Sequence, residues 1–144
     1  MSRVYLIAAD KPLPLQNKQA ERSSTVYVMG KPFTISAVRG FRVGEHIYYR
    51  HAVELLNYPI RPYQYELELE PHEKDLAHLL EYLRTNFIPG ETVELWSIWV
   101  GVDQCRPTRY SGTLPEFDMD TLEQLLNPPA SNDAPGQCCL SVHI

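Results

Sequence analysis

The sequence predicts an α+β protein, in which a mixed, mostly antiparallel sheet packs with one long amphipathic helix and a second, short helix. Three observations carry this prediction. Residues 64–70, QYELELE, alternate strictly between two kinds of side chain, as a strand with one buried face does. Residues 72–87 place apolar side chains at helical spacing. Residues 92–101, TVELWSIWVG, return as an apolar strand, so a strand–helix–strand unit with a right-handed parallel crossover is expected.

Length and composition narrow the class of protein. A chain of 144 residues is expected to form one domain, spanning 1–144. The net charge of -5 argues against nucleic-acid binding, which needs a basic surface. The apolar run at the N-terminus is too short for a signal peptide or a membrane helix. Three cysteines, an odd number, do not make a disulfide framework, so we expect a cytoplasmic protein with no membrane partner.

The N-terminal half contains further strands and two less regular segments. The predicted strands are RVYLIAA (3–9), TVYVM (25–29) and FTISAV (33–38), and Gly30, Lys31 and Pro32 are the predicted hairpin connection between the last two. Residues 10–24 are polar and contain two prolines, which predicts a long loop with room for a short helical turn. Residues 46–56 fit a strand or a helical turn equally, and residues 57–63 are expected to form a loop.

In the C-terminal half, the sequence predicts the ends of the long helix, a short helix and a final strand. Pro71 suits a first helical turn, and Pro89 with Gly90 ends the long helix. Residues 106–115 are expected to be irregular, and residues 127–137 to be a flexible connection. A short helix lies between them; its apolar face holds Met119, Leu122, Leu125 and Leu126, and Asp120 and Glu123 have the spacing of a capping box. The final CCLSVHI alternates, which predicts a paired strand with Cys138, Leu140, Val142 and Ile144 on one face.

The two tryptophans, Trp96 and Trp99, lie in one predicted strand. Their odd spacing points them to opposite faces, and the strand is apolar on both sides. A strand of this kind is internal to a sheet that is covered on both faces. We therefore predict that both indoles are mostly buried core residues and not a stacking platform for nucleic-acid bases, which would need its aromatic side chains on one open face.

The order of elements carries one resemblance. YELELE, an amphipathic helix, GETVELWSIWVG and a second leucine-rich helix together resemble a group of small bacterial proteins with no assigned activity. The resemblance covers residues 63–127. It implies a bacterial, cytoplasmic origin, and it carries over no site and no mechanism.

Histidine and cysteine patterns do not predict a metal site. His72 and His78 are six apart, so they do not share a helix face as zinc-protease ligands do. Cys138 and Cys139 are adjacent and point opposite ways, which suggests one buried and one exposed thiol instead of a zinc site with His143. Cys105 precedes an arginine that would lower its pKa, but the sequence places no histidine beside it. We predict no metal and no cofactor.

Glu66, Glu68 and Glu70 form a row of carboxylates along one strand face. Such a row can bind a cation or a basic partner. It is more often the solvated face of an antiparallel or edge strand. Both interpretations stay open at this point.

The segment NYPIRPYQY is the strongest candidate for an interaction site. Tyr58, Arg61, Tyr63 and Tyr65 lie on and beside a proline-stiffened loop, and Tyr and Arg are enriched where protein interfaces gain most affinity. The alternative is that the tyrosines pack the loop onto the domain while Arg61 stays in solvent. We predict a binding site formed by Tyr58, Arg61, Tyr63, Glu66 and Glu68.

The predicted function is that of a noncatalytic protein-interaction module, with a protein partner or a second copy of the chain. The alternative is a small enzyme or ligand-binding protein with a Cys/His/Glu cleft. An enzyme should present a concave pocket with convergent titratable groups, whereas an interaction module should present an apolar patch or a symmetric contact. The sequence names neither the partner nor any small-molecule ligand.

Overall fold

The alternating and helical segments of the sequence assemble into a sheet with helices on both faces. The computed structural model describes residues 2–101, 106–128 and 136–144. In these ranges the elements are β1 (Ser2–Ala9), β2 (Gln16–Asn17), β3 (Ala20–Val28), β4 (Lys31–Arg39), β5 (Arg42–Glu45), α1 (Arg50–Leu55), β6 (Tyr63–Glu68), α2 (Glu73–Asn86), β7 (Thr92–Val100), β8 (Thr108–Thr113), α3 (Met119–Leu126) and β9 (Cys138–His143).

Seven of the described strands form one sheet, in the order β2-β5-β6-β1-β7-β9-β8. Neighbouring strands are antiparallel, except that β8 and β9 are parallel. Strands β3 and β4 form a separate two-stranded sheet. The predicted class is therefore confirmed: an α+β fold with a mixed, mostly antiparallel sheet, one helix of 14 residues and a short one of 8 residues.

Two hydrophobic clusters lie on opposite faces of the seven-stranded sheet. The larger cluster packs α2 and α3 onto the sheet through side chains such as Leu79, Leu83 and Leu122. The smaller cluster contains Trp96, and α1 and the loop after it cover this face. We call this sheet with its three helices the body. No helix in the described ranges is both long enough and apolar enough to cross a membrane.

The strand–helix–strand unit is present as β6, α2 and β7. Strand β1 lies between β6 and β7 and is antiparallel to both, so β6 and β7 run parallel to each other. Helix α2 begins after His72, whose Nδ1 accepts a hydrogen bond from the Lys74 amide at 3.1 Å. Glu73 and Asp75 lie in the first turn, where the positive end of the helix dipole stabilises negatively charged side chains.

The tryptophans lie in β7, which is internal to the sheet. Trp96 is fully buried in the smaller cluster, as predicted. Trp99, three residues further along the strand, is only partly buried. The guanidinium of Arg3, on the neighbouring strand β1, lies 4.9 Å from the centre of the Trp99 ring. A cation over an aromatic face covers this indole where apolar packing does not.

The structure corrects several local predictions. The predicted loop at 10–24 contains β2 and the start of β3, and the ambiguous segment at 46–56 contains α1. The predicted irregular segment at 106–115 contains β8, which pairs with β9 at the edge of the described seven-stranded sheet. An edge strand needs no apolar alternation, so its sequence pattern is weak. The helix α3 is capped by Asp118, whose Oδ1 accepts from the Thr121 amide at 2.9 Å, and not by the predicted capping box.

The C-terminal segment is a paired strand, as predicted. Strand β9 lies between β7 and β8, and Cys138, Leu140 and Val142 face the larger cluster. Cys139 faces the smaller cluster. Both thiols are buried, so the expectation of one exposed cysteine is wrong, because both faces of the sheet are covered at this strand.

Candidate interaction surface

Tyr58 of the predicted binding segment packs onto the body. Its ring stacks on Trp96, with 5.8 Å between ring centres and 14° between planes. Its hydroxyl accepts a hydrogen bond from the side-chain amide of Gln137 at 3.3 Å. Tyr58 therefore closes the smaller cluster, which is the alternative that the sequence left open for this residue.

Arg61 neutralises a buried carboxylate instead of extending into solvent. Its Nε lies 3.7 Å from Oε2 of Glu94, whose side chain is only 8% exposed. Its backbone amide donates to Oε1 of Glu94 at 3.1 Å, and Trp96 Nε1 donates to the same oxygen at 3.2 Å. Asp10 forms a second ion pair with Arg61. These contacts tie the loop to the central strand β7.

Glu66 and Glu68 both lie beside Arg42 of the neighbouring strand β5. The Arg42 Nη2 lies 2.8 Å from Glu68 and 3.9 Å from Glu66. Hydrogen bonding to Arg42 lowers the pKa of Glu68, whereas burial, followed by the charge of Glu68, raises the pKa of Glu66. Gln19 also donates to Glu68 at 2.7 Å. The carboxylate row is thus engaged by residues of this chain and is not simply a solvated face.

Tyr63 is the most exposed of the five predicted binding residues, with 42% of its surface accessible. It lines a cavity of about 250 Å³ together with His46, Arg50 and Glu54. Both ring nitrogens of His46 are buried without a hydrogen-bond partner among the described residues. The five predicted residues therefore fall into three neighbourhoods, and their joint binding role stays a prediction.

Among the cysteine and histidine side chains considered as chemical candidates, Cys138, Cys139 and His143 are buried or hydrogen-bonded within the fold. Burial raises the pKa of Cys138 to about 11 and that of Cys139 to about 12, so both thiols are protonated at neutral pH and are poor nucleophiles. His143 contacts Thr92 and Ser111, at 3.0 Å and 3.1 Å. Within the described ranges, no group of three or more His, Cys, Asp or Glu side chains is placed to hold a metal ion. Cys105 lies outside the described residues.

The hairpin of β3 and β4 is the feature that the sequence prediction undervalued. Each strand has nine residues, and the register pairs Ala20 with Arg39 at the base and Val28 with Lys31 at the turn. Met29 and Gly30 form the turn with φ of 53° and 77°, so Lys31 and Pro32 belong to β4 and not to the connection. We call residues 20–39 the arm.

The base of the arm is fixed to the body by a buried ion pair. Both terminal nitrogens of Arg22 donate hydrogen bonds to Asp75, which is fully buried in the first turn of α2. Arg22 also contacts Glu70 at 3.0 Å. The amide of Glu70 donates to Asp75 at 2.7 Å. Arg39 lies 3.5 Å from the same Glu70. Bidentate charge-assisted bonds of this kind fix orientation as well as contributing energy.

The outer part of the arm exposes apolar side chains. The register places Val26, Val28, Phe33 and Ile35 on one face, together with Lys31 beside the turn and Arg22 at the base. Phe33 is 52% exposed and Ile35 is 45% exposed, and Met29 in the turn is 97% exposed. The opposite face holds Tyr27, Pro32 and a group of hydroxyl side chains: Ser23, Thr25, Thr34 and Ser36. The arm is thus a two-stranded sheet with one apolar face that the body leaves uncovered.

Alternation in residues 25–38 was the available signal for this surface, and the sequence prediction used it only to propose a hairpin. Comparison with known proteins adds nothing to the geometry: no family model, no curated protein and no solved structure matches the chain. The bacterial origin implied by the sequence resemblance therefore stays an expectation.

Proposed function

We propose that the protein is a noncatalytic interaction module that binds a protein chain along its arm. The observation that carries the proposal is the exposure of Phe33, Ile35 and Met29 on an arm whose base is held rigidly by Arg22 and Asp75. A two-stranded hairpin is marginally stable by itself, and exposed apolar patches mark interaction surfaces. An arm held at its base and apolar at its tip fits a contact with another chain.

The chemistry of the arm favours a protein as the partner. Its outer part, residues 23–38, carries one charged side chain, Lys31. The two arginines at the base are already engaged by carboxylates, so they do not offer the free basic surface that nucleic acid requires. Strand edges offer main-chain donors and acceptors, and the apolar face offers contact area, which is how extended protein segments are recognised.

The surroundings of the titratable groups also favour a noncatalytic role. Arg61, Glu94 and Tyr58 form one packed unit with Trp96, and Cys138 and Cys139 are buried with raised pKa values. We also place the protein in the cytoplasm. Supporting this location, Cys138 and Cys139 are both free thiols, as expected in a reducing compartment.

The test is quantitative capture of partner protein from the native host by four immobilised baits. They are the wild type, an arm variant with Phe33→Ser and Ile35→Ser, a matched control with Thr25→Ser and Thr34→Ser on the opposite face of the arm, and a loop variant with Tyr58→Ala and Arg61→Ala. We expect the arm variant to lose at least about tenfold in capture, which corresponds to one modest hot spot. The matched control should capture as the wild type does.

Two outcomes would contradict the proposal. Undiminished capture by the arm variant would exclude the arm as the interface. Loss of capture by a loop variant that remains folded would restore the segment from Tyr58 to Tyr65 as the binding site. Folding of each bait is checked by its circular dichroism spectrum before capture.

A further inference from the structure

We propose that the partner of the arm is a second copy of this chain, and that the two copies pair their β3 strands edge to edge in antiparallel orientation. This inference rests on the proposed function of the arm as an interface and identifies the partner that binds it. The resulting four-stranded sheet would have the order β4-β3-β3-β4 across a two-fold axis. Such a contact uses the same surface on both copies and closes on itself.

The two edges of the arm are not equivalent. The positive φ angles of Met29 and Gly30 define a two-residue type I′ turn, in which the flanking residues Val28 and Lys31 exchange hydrogen bonds. The next pair, Tyr27 and Pro32, is then non-hydrogen-bonded, and its backbone faces outward. Proline has no N–H, so the outer edge of β4 lacks one hydrogen-bond donor at Pro32. The outer edge of β3 lacks no donor, and it is therefore the better edge for pairing.

The outer edge of β3 has none of the usual protection. From Ser23 to Val28 it contains no charge, no proline and no glycine, and Thr25 and Val26 favour extended structure. No strand in the described part of the chain pairs with this edge. Natural proteins guard long edges with lysine, proline, bulges or a covering element. The six residues 23–28 form an edge without these devices, which is suited to pairing with another strand.

Charge is compatible with pairing of identical strands. In antiparallel pairing about Ser24 or Thr25, the central uncharged residues of β3 lie against each other, and Glu21 and Arg22 of one copy lie against the uncharged end of the other, near its turn. Each chain carries a net charge of -5. Nine residues span about 30 Å, so the two acidic bodies lie at opposite ends of the paired arms, well beyond a Debye length of about 8 Å.

The available area indicates a weak dimer. Pairing along one strand edge buries less than the roughly 800 Å² that each partner buries in a standard interface. Pairing places two copies of the apolar face, each with Val26, Val28, Phe33 and Ile35, side by side on one four-stranded sheet. Sheets of three or more strands with an apolar face are independently stable. We expect a dissociation constant on the order of 1–10 µM.

The test is disulfide cross-linking of full-chain variants that each carry one introduced cysteine. In a background with Cys105→Ser, cysteine replaces Ser24 or Thr25, at the centres of the two registers that pair most of β3. Symmetric pairing brings the Cα atom of such a residue to about 4.5–5.5 Å from the same atom of the second copy, which is within the range of a disulfide. The matched control is Thr34→Cys, which lies directly opposite Thr25 on β4. Cys138 and Cys139 are buried and stay in place.

We expect one of the two β3 variants to form a covalent dimer at least about tenfold faster than the Thr34 control at 50 µM chain, and adding Val26→Ser and Val28→Ser, on β3 itself, should suppress it. Equal cross-linking at β3 and β4, or none at β3, would overturn pairing with a second copy. If the arm nevertheless captures a different protein, the interaction module stands and only the identity of its occupant is wrong. If capture is also independent of the arm, both proposals fail.

Discussion

The body and the arm use the same residue types in opposite ways. In the body, leucine, valine and tryptophan side chains face helices and are almost completely buried. In the arm, phenylalanine, isoleucine and valine lie on strands with equally regular alternation, yet they face solvent. The difference lies in the second layer: the body supplies a helix for each face of its sheet, and it supplies nothing for the apolar face of the arm. Apolar alternation therefore predicts a strand, but not the molecule against which that strand packs.

Two buried ion pairs show a further difference between the arm and the body. Glu94 and Asp75 are almost completely buried, and each is neutralised by an arginine, Arg61 in the loop before β6 and Arg22 in the arm. Removing one partner of such a pair leaves a charge that water cannot reach. Both arginines therefore hold a peripheral segment in one orientation, and only the arm continues beyond its anchor.

The largest expected effect is in the body. Replacing Trp96 with alanine removes a fully buried indole from the smaller cluster, so we expect the free energy of unfolding to fall by about 3–5 kcal/mol. Trp99→Ala is the matched control, because its indole is only partly buried, and it should cost clearly less. Equilibrium denaturation by urea measures both. Equal losses would contradict the difference in burial between the two tryptophans.

The next effect is at the base of the arm. Asp75→Asn removes the charge that holds Arg22, and we expect the free energy of unfolding to fall by about 2 kcal/mol. Hydrogen exchange of the β3 and β4 amides should also become faster, since the arm loses its anchor. The control is Glu73→Gln, an exposed carboxylate in the same helical turn, which should cost less than about 0.5 kcal/mol. Unchanged exchange in the arm would show that the ion pair does not hold it.

A smaller effect should appear in the pH dependence of the body. Burial, followed by the charge of Arg50, holds the pKa of His46 below its ordinary value. The unfolded chain therefore binds a proton near pH 6.5 while the folded chain does not, and stability falls as the pH drops below that value. The variant His46→Gln should lose less stability than the wild type between pH 6.5 and pH 5. Parallel pH profiles for the two proteins would exclude His46 as the source.

The sequence was sufficient where structure depends on neighbours along the chain. The alternation of residues 64–70 and the leucine spacing of residues 72–87 predicted β6 and α2 to within two residues at each end. The opposite faces of Trp96 and Trp99 followed from strand geometry alone. The final strand was predicted for the same reason, because its apolar residues alternate.

Sequence was insufficient where a partner lies far away in the chain. Arg22 meets Asp75 across 53 positions, and Arg61 meets Glu94 across 33 positions, and neither pairing leaves a local pattern. Tyr58 looked like an interface residue because its type is common at interfaces, yet the same aromatic ring packs on Trp96. The start of β3 was predicted as a loop because its serines and arginine lack apolar alternation, and only pairing with β4 makes it a strand.

The smallest expected effect on stability, and the largest on association, belongs to the apolar face of the arm. We expect Phe33→Ser with Ile35→Ser to change the free energy of unfolding by no more than about 1 kcal/mol, because both residues are already about half exposed. In the body, comparable losses of apolar side chain cost several times more. Thermal and urea unfolding of the variant, measured beside the wild type at low concentration, check this value.

The central claim is that the apolar face of the arm serves contact between chains and not the folding of its own chain. Sedimentation velocity on the wild type and on a Val26→Ser, Val28→Ser variant, which changes the apolar face on β3, tests it most directly at matched concentrations from 1 to 100 µM. We predict a concentration-dependent species of twice the chain mass of 16.6 kDa for the wild type, and only the single-chain mass for a fully folded variant. The same distribution of masses for both proteins at every concentration would contradict the claim.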